Sequence, residues 1–267
     1  LAILCNNSLQ IHSLIKKDFE KLSEFVCDSS NNEKRFYHWI QWVSLNQIAF
    51  GTQSGQITFL TIENEITGSI NEIKYFNFNQ MLTAQSASFG ALVLATSGPL
   101  IHFISPIGEV LSTLSLISEN EKPIPTIIRQ INIKDNLALF VFVDGRVALA
   151  NNLNQKDVIE KQPISIQFIE FLNNVSSALF SDNKKYIIAL TFDGMLMQIR
   201  VSTLQISIIS DDCSLFHITR DSSFIIALSP NGKMTTWSNK TGHSTNIMID
   251  FASCNKSKTL NFVTSEI

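Results

Sequence analysis

The side chains best suited to chemistry, histidine and cysteine, are few and far apart in this sequence. The histidines are His12, His38, His102, His217 and His243, and the cysteines are Cys5, Cys27, Cys213 and Cys254. No two cysteines are separated by two residues, and no histidine follows a cysteine at zinc-finger spacing. We therefore expect the histidines to be ordinary strand or loop residues, and the cysteines to be small buried groups. Free thiols fit a reducing compartment such as the cytoplasm.

The sequence also lacks the short motifs that bind phosphate or activate a nucleophile. GxxxxGK[ST], GxGxxG, GxSxG and HExxH are all missing. Asn231-Gly232-Lys233 is a turn and not a phosphate loop, because no glycine stands five residues before Gly232. Asp211-Asp212 lacks the glycine and distal glutamate of a calcium loop. The sequence predicts no catalytic residue, no metal site and no cofactor. A hydrolase site gathered from separate repeats at a central channel is the alternative.

Composition excludes several classes of protein. The 267 residues carry 20 Lys+Arg against 23 Asp+Glu, and 45% are hydrophobic. Disordered chains are poorer in apolar residues, and nucleic-acid binders need a cationic excess. No apolar run approaches the roughly 18 residues of a membrane span, so at most peripheral membrane contact is expected. The basic pairs Lys16-Lys17, Lys184-Lys185 and Lys256 with Lys258 indicate solvated surface, with an acidic partner or membrane as the alternative.

A hairpin of two β-rich runs recurs along the chain and must position any site. Its turns are Ser54-Gly55, Ser97-Gly98, Asp144-Gly145, Asp193-Gly194 and Asn231-Gly232, with a first copy around Asn6-Asn7-Ser8. A tight hairpin needs a positive φ, which glycine and asparagine reach at low cost. At Asp144 and Asp193 the side chain is expected to accept from backbone N–H groups of its own turn.

The spacing of these turns predicts the architecture. Successive turn glycines lie 38 to 49 residues apart, and a period in the forties with one glycine hairpin per unit is typical of a β-propeller. The first run of each hairpin is expected to be buried on both faces, whereas the second alternates as if half-exposed. The connections 28–35, 118–126 and 151–163 are expected to be surface loops.

These patterns predict an all-β chain that forms a single propeller domain over residues 1–267. About six blades of degenerate WD type are expected, since no Gly-His opens a blade and no Trp-Asp closes one. Both ends suggest a fragment cut from a longer protein. Our preferred interpretation is therefore a seven-bladed propeller whose remaining blade comes from sequence outside this chain.

The order of the hairpins and their residue sequences resemble those of one family. The stretches that carry the resemblance are Leu1–Leu4 with Leu9–Ile11, Trp42 with Ile48–Thr52 and Gly55, Leu94–Gly98 with Leu100–His102, Phe140–Val147, and Asp221-Ser222 with Thr236–Ser238. They are similar to the N-terminal propeller of the Ric-one family, a subunit of the two-subunit exchange factor for the Golgi Rab-six (Ypt-six) GTPase. Val43-Ser44-Leu45 departs from that family's Pro-Asp turn, and Ser97 replaces its aspartate.

The resemblance implies a non-catalytic scaffold in a guanine nucleotide exchange complex that serves endosome-to-Golgi retrograde transport. It implies a cytoplasmic protein peripheral to the Golgi membrane, whose partners are an Rgp-one-like second subunit and a Rab-six-type GTPase. No nucleic acid is expected as a partner. The residues do not indicate which surface binds either protein. A generic WD-repeat scaffold of another cytosolic assembly is the alternative.

Overall fold

The structure is a computed structural model, and β-strands are almost the only regular secondary structure of its described residues. Described are residues 2–5, 8–13, 20–26, 38–64, 69–78, 80–118, 124–125, 127–151, 153–219 and 221–248. They form 23 strands and one helix, so the all-β prediction is confirmed. That helix has five residues, far fewer than a membrane crossing needs. The chain divides into two compact units, Leu1–Ile117 with Asn154–Ile164 and Asn261–Ile267, and Ser118–Leu153 with Ser165–Leu260.

Strands of the first unit form three antiparallel arrays in which neighbours along the chain pair in order. Array 1 has three strands, β1 (Ala2–Cys5), β2 (Ser8–Ser13) and β3 (Glu20–Val26). Array 2 has four, β4 (Trp39–Ser44), β5 (Gln47–Gly51), β6 (Gln56–Asn64) and β7 (Ser69–Asn77). Array 3 contains β8 (Leu82–Ser88), β9 (Ala91–Thr96), β10 (Leu100–Ile104) and β11 (Val110–Ser118).

In the second unit, too, neighbouring strands pair in chain order, and we group them in three arrays of four strands by this pairing. Array 4 contains β12 (Ile128–Lys134), β13 (Leu137–Phe142), β14 (Val147–Ala150) and β15 (Ile164–Phe168), the last of which begins at the border of the units. Array 5 contains β16 (Val175–Phe180), β17 (Tyr186–Thr191), β18 (Leu196–Arg200) and β19 (Ile206–Ser210). Array 6 contains β20 (Leu215–Ile218), β21 (Phe224–Leu228), β22 (Lys233–Ser238) and β23 (Ser244–Met248).

In the first unit, array 2 has two buried faces. Ile48 and Phe50 on β5 share one apolar cluster with Leu9 of array 1. Ala49, between them, belongs to a second cluster with Leu92 of array 3. Because side chains alternate between the two faces of a strand, one apolar run supplies both clusters. Arrays within this unit therefore pack face against face.

Array 5 does the same in the second unit. Ile187 and Ala189 on β17 lie in a cluster with Leu139 of array 4. Ile188 lies in a different cluster, with Ile225 of array 6. The predicted burial of the first hairpin strand on both faces thus has a clear source, since an array on each side covers it. β21 departs from this pattern and alternates, with Phe224 exposed.

The predicted half-exposure of the second hairpin strand is wrong for β6, β10, β14 and β18, whereas β22 is half-exposed as predicted. All four residues of β14 are buried, and the interiors of β6, β10 and β18 are buried as well. A further strand pairs along the outer edge of each of these strands, and apolar clusters cover their faces. Even the polar residues Thr58 on β6 and Gln198 on β18 are buried.

One predicted loop contains a helix. Within residues 151–163, α1 (Gln155–Ile159) begins after Asn154, whose side-chain oxygen accepts from the Asp157 N–H at 3.0 Å. Val158 is the buried residue of this turn. Several features named in the sequence lie outside the described residues. They are the predicted Asn6-Asn7 turn, the 28–35 connection, Lys16-Lys17, Cys27, Cys254, Lys256 and Lys258.

Polar side chains join arrays 4 and 5. The side-chain oxygens of Gln130 and Asn132 on β12 accept the N–H groups of Ala178 and Phe180 on β16, at 3.0 and 2.9 Å. The period of two in both strands matches the donors to the acceptors. Next to them, Lys134 forms an ion pair with Asp182.

Candidate functional site

Each turn glycine predicted from the sequence lies between the second and third strands of its array. Gly55, Gly145, Gly194 and Gly232 have φ between 82° and 92°. Each N–H donates to the carbonyl three residues earlier, as in Gly145 to Phe142 at 3.0 Å. This conformation is one that L side chains rarely adopt, so glycine is required at these positions.

Gly98 does not share that conformation. It lies between β9 and β10 as predicted, but its φ is not in the positive range. The left-handed glycines of array 3 are Gly90, with φ of 70° in the turn between β8 and β9, and Gly108, with φ of 85° in the turn between β10 and β11. Proline at position 99 follows Gly98 directly, and the residue before a proline favours extended backbone. The reason given for glycine at position 98 is therefore wrong.

The polar turn residues act in two ways. Asp144 accepts from the Arg146 N–H at 3.1 Å, and Asn231 accepts from the Lys233 N–H at 3.0 Å. Asp193 instead accepts from the side chain of Asn174 at 3.3 Å, so its predicted bond within the turn is replaced by one to a neighbouring connection.

Backbone hydrogen bonds tie each hairpin turn to the connection that leads into the next array. The Gly145 carbonyl accepts from Val175 at 3.0 Å, and the Gly194 carbonyl accepts from Cys213 at 2.8 Å. A Cβ at Gly145 would lie 3.0 Å from the Asn173 carbonyl. Hairpin turns and connections between arrays therefore alternate along one end of the sheets in the second unit.

We call this end of the second unit the hairpin rim, and define it by its exposed residues. They are Val143, Asp144, Phe171, Phe192, Asp193, Asp211, Asp212, Leu215 and Pro230. The hydrogen bonds that make the rim continuous run between Gly145 and Val175, between Asn174 and Asp193, between Gly194 and Cys213 and between Ser214 and Leu228.

Apolar side chains on the rim are open to solvent. Val143 and Phe192 occupy the same turn position in successive hairpins, and each exposes 51% of its surface. Phe171 and Leu215, in or next to the connections, expose 43% and 42%. Neighbouring exposed apolar groups on a soluble protein are typical of sites that bind another protein.

Charges on the rim are mainly acidic. The Arg129 guanidinium lies over the Phe192 ring at 4.9 Å from its centre, and Arg146 pairs with Asp144 at 2.8 Å. Asp193, Asp211 and Asp212 have no ion pair within the described part of the chain. The rim thus combines exposed apolar surface with carboxylates that a partner could neutralise.

Residues with intrinsic chemistry are held in structural roles. Nδ1 of His102 lies 3.1 Å from Thr113 Oγ1, Nε2 is buried without a partner, and burial lowers the pKa of the ring. Burial also raises the pKa of the Cys213 thiol, which is the less reactive direction for a nucleophile. Across the described ranges, no group of three or more His, Cys, Asp and Glu is placed to hold a metal ion.

Sequence reasoning missed the rim as a surface. Its successive apolar members, Val143, Phe171, Phe192 and Leu215, lie 21 to 28 residues apart, and each alone is an ordinary loop residue. The available signal was the residue before the Asp-Gly pair, which is Val143 and Phe192 in two successive hairpins. Polar residues, glycine and proline are usual in such a turn, so two large apolar residues at the same position were informative.

Comparisons with known proteins bear on the fold alone. No known family model matches the chain, and no curated protein matches it. Among solved structures, 1526 chains match, which makes the fold a common one. One of them is the crystal structure of the computationally designed Ika8 protein. It is 14% identical, with a TM-score of 0.56 over 89% of this chain and 67% of that one. The chain is thus similar in fold to this designed protein, whereas the two sequences are largely different.

Proposed function

We propose that this chain is a non-catalytic β-propeller scaffold whose hairpin rim docks a second protein. In this reading the six arrays are degenerate WD-type blades, and a seventh blade comes from sequence outside the chain. The face-to-face packing of arrays within each unit supports the fold, and the continuous rim of exposed Val143, Phe171, Phe192 and Leu215 carries the function.

The chemistry of the rim defines the partner. Asp193, Asp211 and Asp212 lie among the exposed apolar groups and have no ion pair in the described residues. A segment that presents lysine or arginine beside apolar residues would neutralise these carboxylates and cover the apolar groups. Such complementarity accelerates encounter and disfavours acidic competitors. We therefore assign the rim to a protein partner with a basic, apolar docking segment.

The family resemblance suggests which assembly this is. The hairpin stretches similar to the Ric-one family favour a Rab exchange complex at the Golgi, with an Rgp-one-like subunit docked on the rim. Nucleotide exchange needs a surface that binds the nucleotide-free GTPase more tightly than the loaded form. It needs no cofactor, and the scaffold's contribution is to hold the second subunit and the GTPase together.

Nucleotide release tests this assignment. The full protein, co-purified with the Rgp-one-like subunit, is mixed with a Rab-six-type GTPase loaded with fluorescent GDP. We expect release faster than the intrinsic rate, and no acceleration of a Rab from another compartment. Release at the intrinsic rate with the intact two-subunit complex would refute the exchange assignment.

Rim variants test the docking surface separately. Phe192→Ser and Asp193→Lys should each weaken co-purification with the second subunit, because one removes apolar contact and the other reverses charge. Ile208→Ser is the matched control, since Ile208 is 60% exposed on β19 and lies outside the rim. If the control and the rim variants bind the subunit equally well, the rim is not the docking surface.

The two experiments separate the specific assignment from a generic scaffold. A complex that depends on the rim but leaves GDP release unchanged would favour a scaffold of another cytosolic assembly. Peripheral Golgi localisation is part of the specific proposal, and a rim variant that abolishes docking should disperse the protein into the cytoplasm.

A further inference from the structure

Array 5 borders two adjoining cavities at the end of its strands opposite the hairpin rim. The larger is about 550 Å³ and is lined by Lys184, Lys185, Tyr186, Arg200, Val201 and Ser202. The smaller is about 240 Å³ and is lined by polar and aromatic side chains together with Gly242. Tyr186 and Arg200 line both cavities, so a single ligand could extend from one into the other.

The larger cavity is cationic. Three of its six lining residues are Lys184, Lys185 and Arg200, and none is acidic. Lys184 pairs with Asp135 at 2.6 Å. No ion pair engages Lys185 or Arg200 in the part of the chain that the structure describes.

The strands hold these cations in place. Tyr186 and Arg200 are paired directly across β17 and β18, and the guanidinium lies 5.8 Å from the centre of the Tyr186 ring. The Val201 N–H donates to the Lys185 carbonyl at 2.9 Å, which joins the two segments that carry the cations. Arg200 also begins a closed turn, in which the Leu204 N–H donates to its carbonyl at 2.8 Å. Cations positioned in advance bind an anion with less loss of conformational entropy.

The smaller cavity offers neutral hydrogen-bonding groups. The side chains of Gln198, Gln205, Ser207 and Asn239 line it beside Trp237. Gln198 and Asn239 bond to each other at 2.8 Å, which fixes both amides. Amides and hydroxyls provide donors and acceptors together, as the hydroxyl groups of a polyol require.

We propose that the two cavities bind a phosphate monoester of a polyhydroxylated ring. The phosphate lies between Lys185 and Arg200, because guanidinium and ammonium groups make charge-assisted hydrogen bonds to phosphate oxygens. The ring extends toward Gln198, Gln205 and Asn239 and exchanges hydrogen bonds with their amides. This site is independent of the partner docking proposed for the rim. Its ligand is either a soluble sugar or inositol phosphate or the headgroup of an inositol lipid.

Binding to two probes tests the site and distinguishes these sources. Inositol 1,4,5-trisphosphate is titrated into the purified chain by calorimetry, and sedimentation is measured with phosphatidylcholine vesicles that contain phosphatidylinositol 4-phosphate. Binding to both probes, or to the vesicles alone, indicates a lipid headgroup. Binding to inositol trisphosphate alone indicates a soluble ligand. If the chain binds neither probe, the proposal is overturned.

Matched variants locate the binding. Arg200→Gln and Lys185→Gln should each weaken binding by about tenfold or more, as expected for loss of one charge-assisted hydrogen bond. Lys233→Gln removes the same charge near the hairpin turn of array 6 and should leave binding unchanged. Equal losses in all three variants would mean non-specific attraction and would refute the site. Lys185 and Arg200 are both exposed, so both variants should fold, and a melting curve for each one checks this. If one variant does not fold, the other locates the binding.

Discussion

His102 shows how one buried residue makes stability depend on pH. It lies on β10 with one ring nitrogen 3.1 Å from Thr113 Oγ1 and its other ring nitrogen buried without a partner. The edge-on Phe78 ring, 4.7 Å away between centroids, adds to an apolar setting. Burial lowers the pKa of His102 because no carboxylate compensates the charged form.

We expect stability to fall as the pH drops below about 6.5, the ordinary pKa of histidine. Between that value and the lowered folded-state pKa, the unfolded chain binds a proton that the folded chain does not. The urea midpoint of the wild-type chain should therefore be lower at pH 5.5 than at pH 7.5. His102→Gln should reduce this difference, whereas His243→Gln, at an exposed site, should retain it. An undiminished difference in His102→Gln would contradict the assignment.

At the scale of the elements, the turns show which local features require glycine. Gly145 combines a φ of 82° with neighbouring backbone 3.0 to 3.1 Å from a built Cβ. Gly90 has a φ of 70° and open space around it, whereas Gly98 has open space and no positive φ. These three positions separate backbone strain from steric contact.

We expect Gly145→Ala to destabilise the chain most, by about 1–3 kcal/mol. Gly90→Ala should cost less, because only the backbone conformation opposes it, and Gly98→Ala should leave stability close to wild type. Urea unfolding of the three variants under one set of conditions ranks them. A Gly98→Ala variant as unstable as Gly145→Ala would contradict the distinction between these turns.

The elements also show which features a sequence can predict. Turn glycines and apolar runs are local, so the hairpins around Gly55, Gly145, Gly194 and Gly232 could be placed from sequence. Burial of β14 and β18 could not, because it depends on residues of the next array, such as Ala178 and Ile225, that lie about 30 positions away in the sequence. The rim was missed for the same reason, since only the hydrogen bonds through Asn174 and Cys213 make its parts neighbours.

At the scale of the second unit, the two proposed sites lie at opposite ends of the same strands. Phe192 follows the last residue of β17, and Tyr186, which pairs with Arg200, is the first. Five residue steps along a strand span roughly 17 Å. At that separation, substitutions without shared contacts act independently.

We therefore expect Phe192→Ser to weaken partner docking without changing phosphate binding, and Arg200→Gln to do the reverse. In the double variant each loss should be as large as in the corresponding single variant. Co-purification measures docking and calorimetry measures phosphate binding on the same preparation. Loss of both functions in either single variant would show that the sites are coupled, and would argue against separate ends.

The amides of Gln130 and Asn132 have a consequence for solubility. β16 is the first strand of its sheet, so its outward N–H groups could template a strand from another molecule. The two amide oxygens accept the N–H groups of Ala178 and Phe180, so these two donors are not available for such pairing. These two side chains thereby oppose edge-to-edge aggregation, as charged or proline residues do on other sheets.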